Sequence, residues 1–165
     1  MSVVCAKVYE NKIQIAADSI IVSGWNSKRT DMKFSKLTKI NNIIIGAVGE
    51  AQETSLMWHY METHKPKDAS EKAILDFIVE FGKWKKDYGE NSRINNSYIL
   101  AFDKKCFLVE ESFVCNVDNY CAIGAGEDFA TAALYLGHTP SEAVNVAARL
   151  SCYVAEPIIE EEMSW

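Results

Sequence analysis

The beginning of the chain constrains its fold more than any other segment, because it has the pattern of two short strands joined by a polar turn. Residues 3–8 and 13–19 are rich in β-branched and small apolar side chains, and the polar residues 10–12 separate them. This pattern predicts an N-terminal β-hairpin. Because the two strands of a hairpin are antiparallel, we expect Ser2 to return to the neighbourhood of Asp18.

That juxtaposition would place two reactive groups close together. A terminal α-amine has a pKa of about 8, so a serine at the chain terminus carries a hydroxyl and its own general base. Removal of Met1 would put both groups on Ser2, and serine is small enough for ordinary removal of the initiator methionine. Asp18 ends a strand that should be buried, where an ionised carboxylate needs partners.

The sequence resembles the proteasome β-subunit family of N-terminal-nucleophile hydrolases, in particular the bacterial heat-shock-locus (HslV) peptidases. The resemblance runs from residue 2 to about residue 155, and its blocks appear in the order and spacing of the family. These blocks are Ser-Val-Val at 2–4, Ile-Ala-Ala-Asp-Ser at 15–19, Lys-Leu-Thr-Lys-Ile at 36–40, Ile-Ile-Ile-Gly-Ala-Val-Gly-Glu-Ala at 43–51 and Ala-Ile-Gly-Ala-Gly-Glu-Asp-Phe-Ala at 122–130.

The resemblance implies four catalytic residues. Ser2 stands where the family normally has a threonine nucleophile, and it keeps the hydroxyl. Lys36 matches the lysine beneath the nucleophile, with Lys33 as the alternative because the preceding polar loop is longer than usual. Asp18 would orient this lysine and hold its charge, while the lysine lowers the pKa of the hydroxyl. Gly49 would supply the backbone N–H that binds the oxyanion.

Two positions depart from the family pattern. The serine of the family's Gly-Ser-Gly segment, whose hydroxyl would bond the terminal amine, is Ala125 here. The acid that supports the same amine should fall near Leu150 or Ser151, but residues 143–155 contain no Asp or Glu. A plain structural ion pair between Asp18 and Lys36, and a plain turn glycine at Gly49, are the alternatives to catalytic roles.

The remaining periodicity predicts an α+β fold. A second hairpin is expected at 36–40 and 43–48 across the Asn41-Asn42 turn, followed by helices from 50 to about 64 and from 68 or 70 through Trp84. Strands are expected at 97–102, 106–110, 112–115 and 120–123, and the last two helices at 129–136 and 141–155, with Ser141 as N-cap. The resemblance implies a four-layer αββα sandwich of two antiparallel sheets flanked by helices.

Composition is consistent with one soluble domain spanning residues 1–165. The chain is 48% hydrophobic and 24% charged, and its net charge of -6 argues against a nucleic-acid or anionic-membrane binder. We expect most lysines of the basic runs at 28–39 and 83–86 to be solvated. The five cysteines match no zinc pattern, so buried free thiols in a reducing cytoplasm are expected. No apolar run has membrane length, and no cofactor or metal is predicted.

Three functions remain open at this point. The first is a peptidase that cuts peptides or unfolded proteins inside a homo-oligomeric ring, in which the amine of Ser2 or Lys36 accepts the proton through water. The resemblance also suggests an ATPase unfoldase as a further partner. The second is a catalytically inactive, proteasome-like assembly protein. The third is an N-terminal-nucleophile amidase that acts on a small molecule.

Overall fold

Eleven strands and four α-helices make up the part of the chain that the computed structural model describes, namely residues 2–23, 27–28 and 34–165. In chain order the elements are β1 (Val4–Val8), β2 (Lys12–Ala17), β3 (Val22–Ser23), β4 (Ser27–Lys28), β5 (Leu37–Ile40), β6 (Ile43–Val48), α1 (Ala51–Thr63), α2 (Glu71–Trp84), β7 (Ser97–Phe102), β8 (Lys105–Glu110), β9 (Phe113–Val117), β10 (Tyr120–Ile123), α3 (Glu127–Tyr135), α4 (Pro140–Leu150) and β11 (Ile159–Ser164). A 3₁₀ helix, Lys85–Tyr88, follows α2. Met1, Lys33 and most of the polar loop expected after Asp18 lie outside the described residues.

The strands form two larger sheets, both antiparallel. One sheet has the order β10-β1-β2-β11 and the other has the order β5-β6-β7-β8-β9, while β3 and β4 form a separate small pair. Both predicted hairpins are present, β1 with β2 and β5 with β6. The turn of the second hairpin has Asn41 at φ 51° and Asn42 at φ 61°. Asparagine tolerates this left-handed conformation, which a two-residue hairpin turn requires at both positions.

Three apolar clusters show the layering. The first lies between α1, α2 and the outer face of the five-stranded sheet and includes Tyr60, Phe81 and Leu100. The second lies between the two sheets and includes Ile15 and Ile44. The third joins the outer face of the four-stranded sheet to α3 and α4. The order of layers is therefore helix, sheet, sheet, helix, which confirms the predicted αββα sandwich.

The last helix differs from the prediction at both ends. Its N-cap is Thr139 rather than Ser141, because the Thr139 hydroxyl accepts the Glu142 N–H while the Glu142 carboxylate accepts the Thr139 N–H. This reciprocal pair is a capping box. The helix ends at Leu150 instead of residue 155. It stops early because the chain must reverse to bring its final strand beside β2.

That final strand, β11, was not predicted. It runs antiparallel to β2, with Ile159 opposite Ala17 and Met163 opposite Ile13. Three consecutive glutamates occupy its centre, and glutamate is depleted in strands. β11 lies at the edge of its sheet, where charged side chains face water and discourage pairing with other chains.

A few residues differ in burial from their neighbours in sequence. Lys85 belongs to a basic run in which we expected most lysines to be solvated, and it is an exception because it is fully buried. Met57, within α1, is also fully buried. Among the free cysteines, Cys5 and Cys106 are buried, but Cys152 is exposed because it follows the early end of α4.

Candidate active site

The pairing of β1 with β2 places the beginning of the described chain against Asp18. Val4 lies opposite Ala17, so Val3 and Asp18 face each other at the end of the ladder. The Asp18 N–H donates to the Val3 carbonyl at 3.2 Å, and the Val3 N–H donates to Asp18 Oδ1 at 2.9 Å. Ser2 therefore lies beside Asp18, as the hairpin predicted, and its side chain is almost fully buried.

Asp18 and Lys36 form a buried ion pair, as predicted. Lys36 Nζ donates to Asp18 Oδ1 at 2.8 Å, and the two side chains are 6% and 0% exposed. The other carboxylate oxygen, Oδ2, accepts the Ile20 N–H at 3.2 Å. Asp18 thus accepts bonds from one ammonium and two backbone N–H groups, which offset the cost of burying its charge.

Burial alters the acidity of Lys36. The removal of its ammonium from water lowers the pKa of Lys36, and the adjacent Asp18 carboxylate partly opposes this shift. The backbone of Lys36 is also fixed, since its carbonyl accepts the Ala47 N–H at 2.8 Å. The result is a rigidly held cation whose proton is more easily lost than that of a solvated lysine.

The segment that leads into α3 packs against the backbone of Ser2. The Gly126 N–H donates to the Ser2 carbonyl at 3.3 Å. Gly124 has φ +99°, and a Cβ there would lie 2.4 Å from the Ser2 carbonyl oxygen. A glycine is therefore needed both for the backbone conformation and for the close approach to Ser2.

Gly49 lies between the end of β6 and the start of α1. Its φ is +137°, and a Cβ there would lie 2.1 Å from Asn96 Oδ1, so only glycine fits. The positive end of the α1 dipole lies at this junction, where it favours negative charge. The position therefore suits a backbone donor to a developing oxyanion.

One small cavity brings these residues together. It has a volume of about 70 Å³ and is lined by Ser2, Lys36 and Gly49 together with mostly apolar neighbours. These neighbours are Ile20, Ile21, Val22, Phe34, Ala47, Ala51 and Thr54. Of the predicted site residues, Ser2, Lys36 and Gly49 thus share one cavity, and Asp18 lies directly behind it through its bond to Lys36.

The two departures from the family pattern are visible in the structure. Ala125 is exposed and has no hydroxyl to offer. At the end of α4, the two predicted positions of the supporting acid are held by Leu150, which is exposed, and by Ser151, whose hydroxyl accepts the Tyr153 N–H at 3.2 Å. The hydroxyl of Ser151 is thus engaged in its own turn.

Sequence reasoning missed a second buried ion pair near the site. Lys85 donates to Glu53, and the Glu53 carboxylate also accepts the backbone N–H of Asn96 at 3.0 Å. Glu53 lies within a helix, and Lys85 lies in a run of lysines, so neither had a distinctive local pattern. The available signal was the Asn95-Asn96 pair directly before a strand, where side-chain amides commonly bond to the backbone.

Among the described residues, no three His, Cys, Asp or Glu side chains come together as a metal site would require. None of the described helices is long and apolar enough to cross a membrane.

Solved structures with the same architecture exist, although no protein-family model and no curated protein sequence matches the chain. Thiobacillus denitrificans BPH in complex with Epoxomicin superposes with a TM-score of 0.87 at 18% identity, covering 98% of both chains. Eukaryotic HslV from Trypanosoma brucei superposes with a TM-score of 0.73 at 20% identity, covering 99% of both chains. Anbu from Yersinia bercovieri has a TM-score of 0.70 at 12% identity, covering 98% of this chain and 81% of its own.

These similarities establish the fold. The chain has the fold of these BPH, HslV and Anbu structures, which confirms the predicted proteasome-like architecture.

Proposed function

We propose that the protein is a proteasome-like N-terminal-nucleophile peptidase subunit, which hydrolyses peptide bonds with Ser2 as the nucleophile after removal of Met1. The observation that carries this proposal is the shared cavity of Ser2, Lys36 and Gly49, with Asp18 bonded to Lys36 behind it. Four residues that are distant in sequence thereby supply a hydroxyl, a cation, its counter-ion and a backbone donor.

In the proposed reaction, the free α-amine of Ser2 is the general base. It accepts the hydroxyl proton through water while Oγ forms a bond to the carbonyl carbon of the substrate. The resulting ammonium returns the proton to the departing amine as the peptide C–N bond breaks. Water then attacks the ester on Ser2, again with the amine as base, and releases the acid product. An amide-bonded nitrogen cannot accept a proton at neutral pH, so Met1 must be removed first.

Lys36 provides the electrostatics of this reaction. Its ammonium favours the negative charge that develops on Ser2 Oγ during attack. Asp18 keeps the ammonium charged and fixed in place, because it bonds to Lys36 and to two backbone N–H groups. Because both charges are buried, their interaction is stronger than it would be between solvated side chains at the surface.

Gly49 provides the oxyanion donor. When Oγ attacks, the carbonyl oxygen of the substrate becomes negative, and the Gly49 N–H donates to it. The N-terminus of α1 adds a favourable potential at the same position. Glycine is required because any side chain would overlap Asn96.

The cavity also indicates which side chain the substrate presents. Its volume of about 70 Å³ and its lining by residues such as Ile20, Val22 and Ala47 suit a small aliphatic group. We therefore propose preferential cleavage after small apolar residues such as alanine or valine. Larger aromatic side chains would require the lining to move.

We propose that the subunit works in a homo-oligomeric ring, as the resemblance implies, on peptides or unfolded proteins, with an ATPase unfoldase as a further candidate partner. Exposed apolar side chains support association. Tyr135 and Leu136, at the end of α3, are 76% and 74% exposed, and Leu150 at the end of α4 is 63% exposed. Tyrosine is enriched at protein–protein interfaces, and burial of the exposed leucines between subunits would be favourable.

A second candidate is a non-catalytic assembly protein with the same fold. The observation in its favour is the reduced support for the amine, since Ala125 lacks a hydroxyl and residues 143–155 contain no carboxylate. In that case Asp18 and Lys36 would serve packing alone. The small-molecule amidase has no observation of its own in its favour.

One experiment separates the first two candidates. Protein with a verified Ser2 terminus is compared with protein that retains Met1, using a panel of fluorogenic peptides that includes alanine and valine before the scissile bond. The peptidase predicts turnover only with the Ser2 terminus, at a rate reduced by the weak support for the amine. If verified Ser2-terminal protein shows no turnover across the panel, the assembly function replaces the peptidase.

A further inference from the structure

The backbone around Gly49 is anchored at both ends. On one side, Val48 pairs with Ser97 at the start of β7. On the other side, the Glu50 N–H donates to Asn96 Oδ1 at 2.6 Å, and Asn96 Nδ2 donates to the Glu50 carbonyl at 3.0 Å. Because both anchors come from adjacent residues at one strand end, the direction of the Gly49 N–H is set by that strand end.

The side chain of Asn96 is held rigidly enough to fix the Gly49–Glu50 segment. Its side chain is almost fully buried, and its Nδ2 also donates to Thr54 Oγ1 at 3.0 Å. Thr54 lines the cavity and donates from its hydroxyl to the Glu50 carbonyl at 3.0 Å. The carboxamide therefore holds the Gly49–Glu50 segment and one wall of the cavity at the same time.

The backbone of Asn96 is held by the second buried ion pair. The Glu53 carboxylate accepts the Asn96 N–H at 3.0 Å, the Tyr98 hydroxyl at 3.0 Å and the ammonium of Lys85. Glu53, Lys85 and Tyr98 are all inaccessible to water or nearly so. Burial and the neighbouring Glu53 carboxylate raise the pKa of Tyr98, so its phenol remains a donor.

A buried ion pair of this kind is weak evidence for stability by itself, because desolvation offsets much of its attraction. Here the hydrogen bonds of the Glu53–Lys85 pair lead, through Asn96, to the backbone beside Gly49. Glu53 fixes the backbone of Asn96, and Asn96 fixes the residue that follows Gly49. This hydrogen-bond network therefore fixes the backbone beside Gly49 at the cavity, in addition to its role in packing.

We infer that Asn96, held by the buried Glu53–Lys85 pair, is a positioning residue that aims the Gly49 N–H at the reacting carbonyl oxygen; this inference rests on the proposed peptidase function. Asn96 does not touch the substrate. Its effect passes through the Glu50 peptide, so its loss should reduce transition-state stabilisation while leaving ground-state binding largely intact.

The test compares Asn96→Ala with Thr139→Ala in Ser2-terminal protein. Thr139→Ala removes a helix-capping hydroxyl of α4 that does not line the cavity, so it controls for a general loss of stability. Two quantities are measured: deuterium exchange of the backbone N–H groups of residues 49–50, and the separate values of kcat and KM.

We expect Asn96→Ala to accelerate exchange at residues 49–50 beyond the control and to lower kcat by about 10- to 100-fold with little change in KM. Tyr98→Phe removes only one donor to Glu53 and should produce smaller changes in the same direction, which keeps the test available if Asn96→Ala does not fold. Unchanged exchange at residues 49–50, or faster exchange with unchanged kcat, would overturn the inference. Absence of turnover in the unsubstituted protein would instead contradict the proposed function, and the exchange data would still decide whether Asn96 fixes the segment.

Discussion

At the scale of single residues, the Asp18–Lys36 pair makes the most direct connection between burial and chemistry. Lys36→Met removes the ammonium and keeps an apolar stem of similar length. We expect hydrolysis to fall by at least about 100-fold, because the charge that favours the attacking oxygen is lost. The free energy of unfolding should fall by about 3 kcal/mol, because Asp18 keeps its buried charge with only backbone partners.

The matched control for this change is Lys12→Met. Lys12 also pairs with a carboxylate, Glu162 at 3.0 Å, but both side chains are partly exposed. An exposed pair contributes little to stability, so Lys12→Met should leave both activity and unfolding nearly unchanged. Wild-type activity in folded Lys36→Met protein would remove Lys36 from the mechanism.

The lowered pKa of Lys36 predicts the shape of the pH profile. Activity should rise with pH as the Ser2 amine, with an ordinary pKa of about 8, loses its proton and becomes a base. Activity should fall again when Lys36 loses its charge. Because burial lowers the pKa of Lys36, this decrease should occur at a pH below 10.5, the ordinary pKa of lysine. The measurement is kcat/KM against pH at constant ionic strength. A profile that stays flat up to pH 10.5 would show that the charge on Lys36 is not required.

At the scale of elements, two glycines with the same φ angle distinguish the effect of a steric overlap from the effect of backbone strain. Gly124 and Gly137 both have φ +99°, but a Cβ at 124 would overlap the Ser2 carbonyl oxygen, whereas no atom of the described residues lies within 4 Å of a Cβ at 137. Gly137→Ala should cost about 1 kcal/mol of stability through backbone strain alone. Gly124→Ala should cost more and lower kcat at least about 10-fold, because Ser2 must move.

Chemical denaturation and peptide turnover of the two variants check this prediction together. The comparison depends on the difference between them, so a shared loss of stability does not affect it. Equal activity of Gly124→Ala and Gly137→Ala would mean that the turn before α3 does not position Ser2.

The elements also show what sequence can reveal about such a chain. The two hairpins, α1, and the contact of Lys36 with Asp18 were predictable, because each follows from a local pattern or from a family motif. The early end of α4 and the strand β11 were not, since both depend on pairing with β2, which lies far away in sequence. The same is true of Asn96 and Glu53, whose bonds span 32 to 46 positions.

At the scale of the whole molecule, the exposed ends of α3 and α4 favour association. Leu136 and Leu150 would remain in contact with water in a monomer, and their burial between subunits would be favourable. We therefore expect a homo-oligomer at micromolar concentration, measured by light scattering as a multiple of 18.5 kDa. A monodisperse particle of 18.5 kDa would contradict the ring proposal.

The role of Ser2 as a terminal nucleophile is tested most directly by intact-mass measurement after treatment with an electrophile that traps terminal hydroxyl nucleophiles. We expect Ser2-terminal protein to gain the mass of one trapped electrophile, mapped to Ser2, while Met1-retaining protein and a Ser2→Ala variant gain none. Equal labelling of all three proteins, or no labelling of verified Ser2-terminal protein, would contradict a nucleophilic role of Ser2.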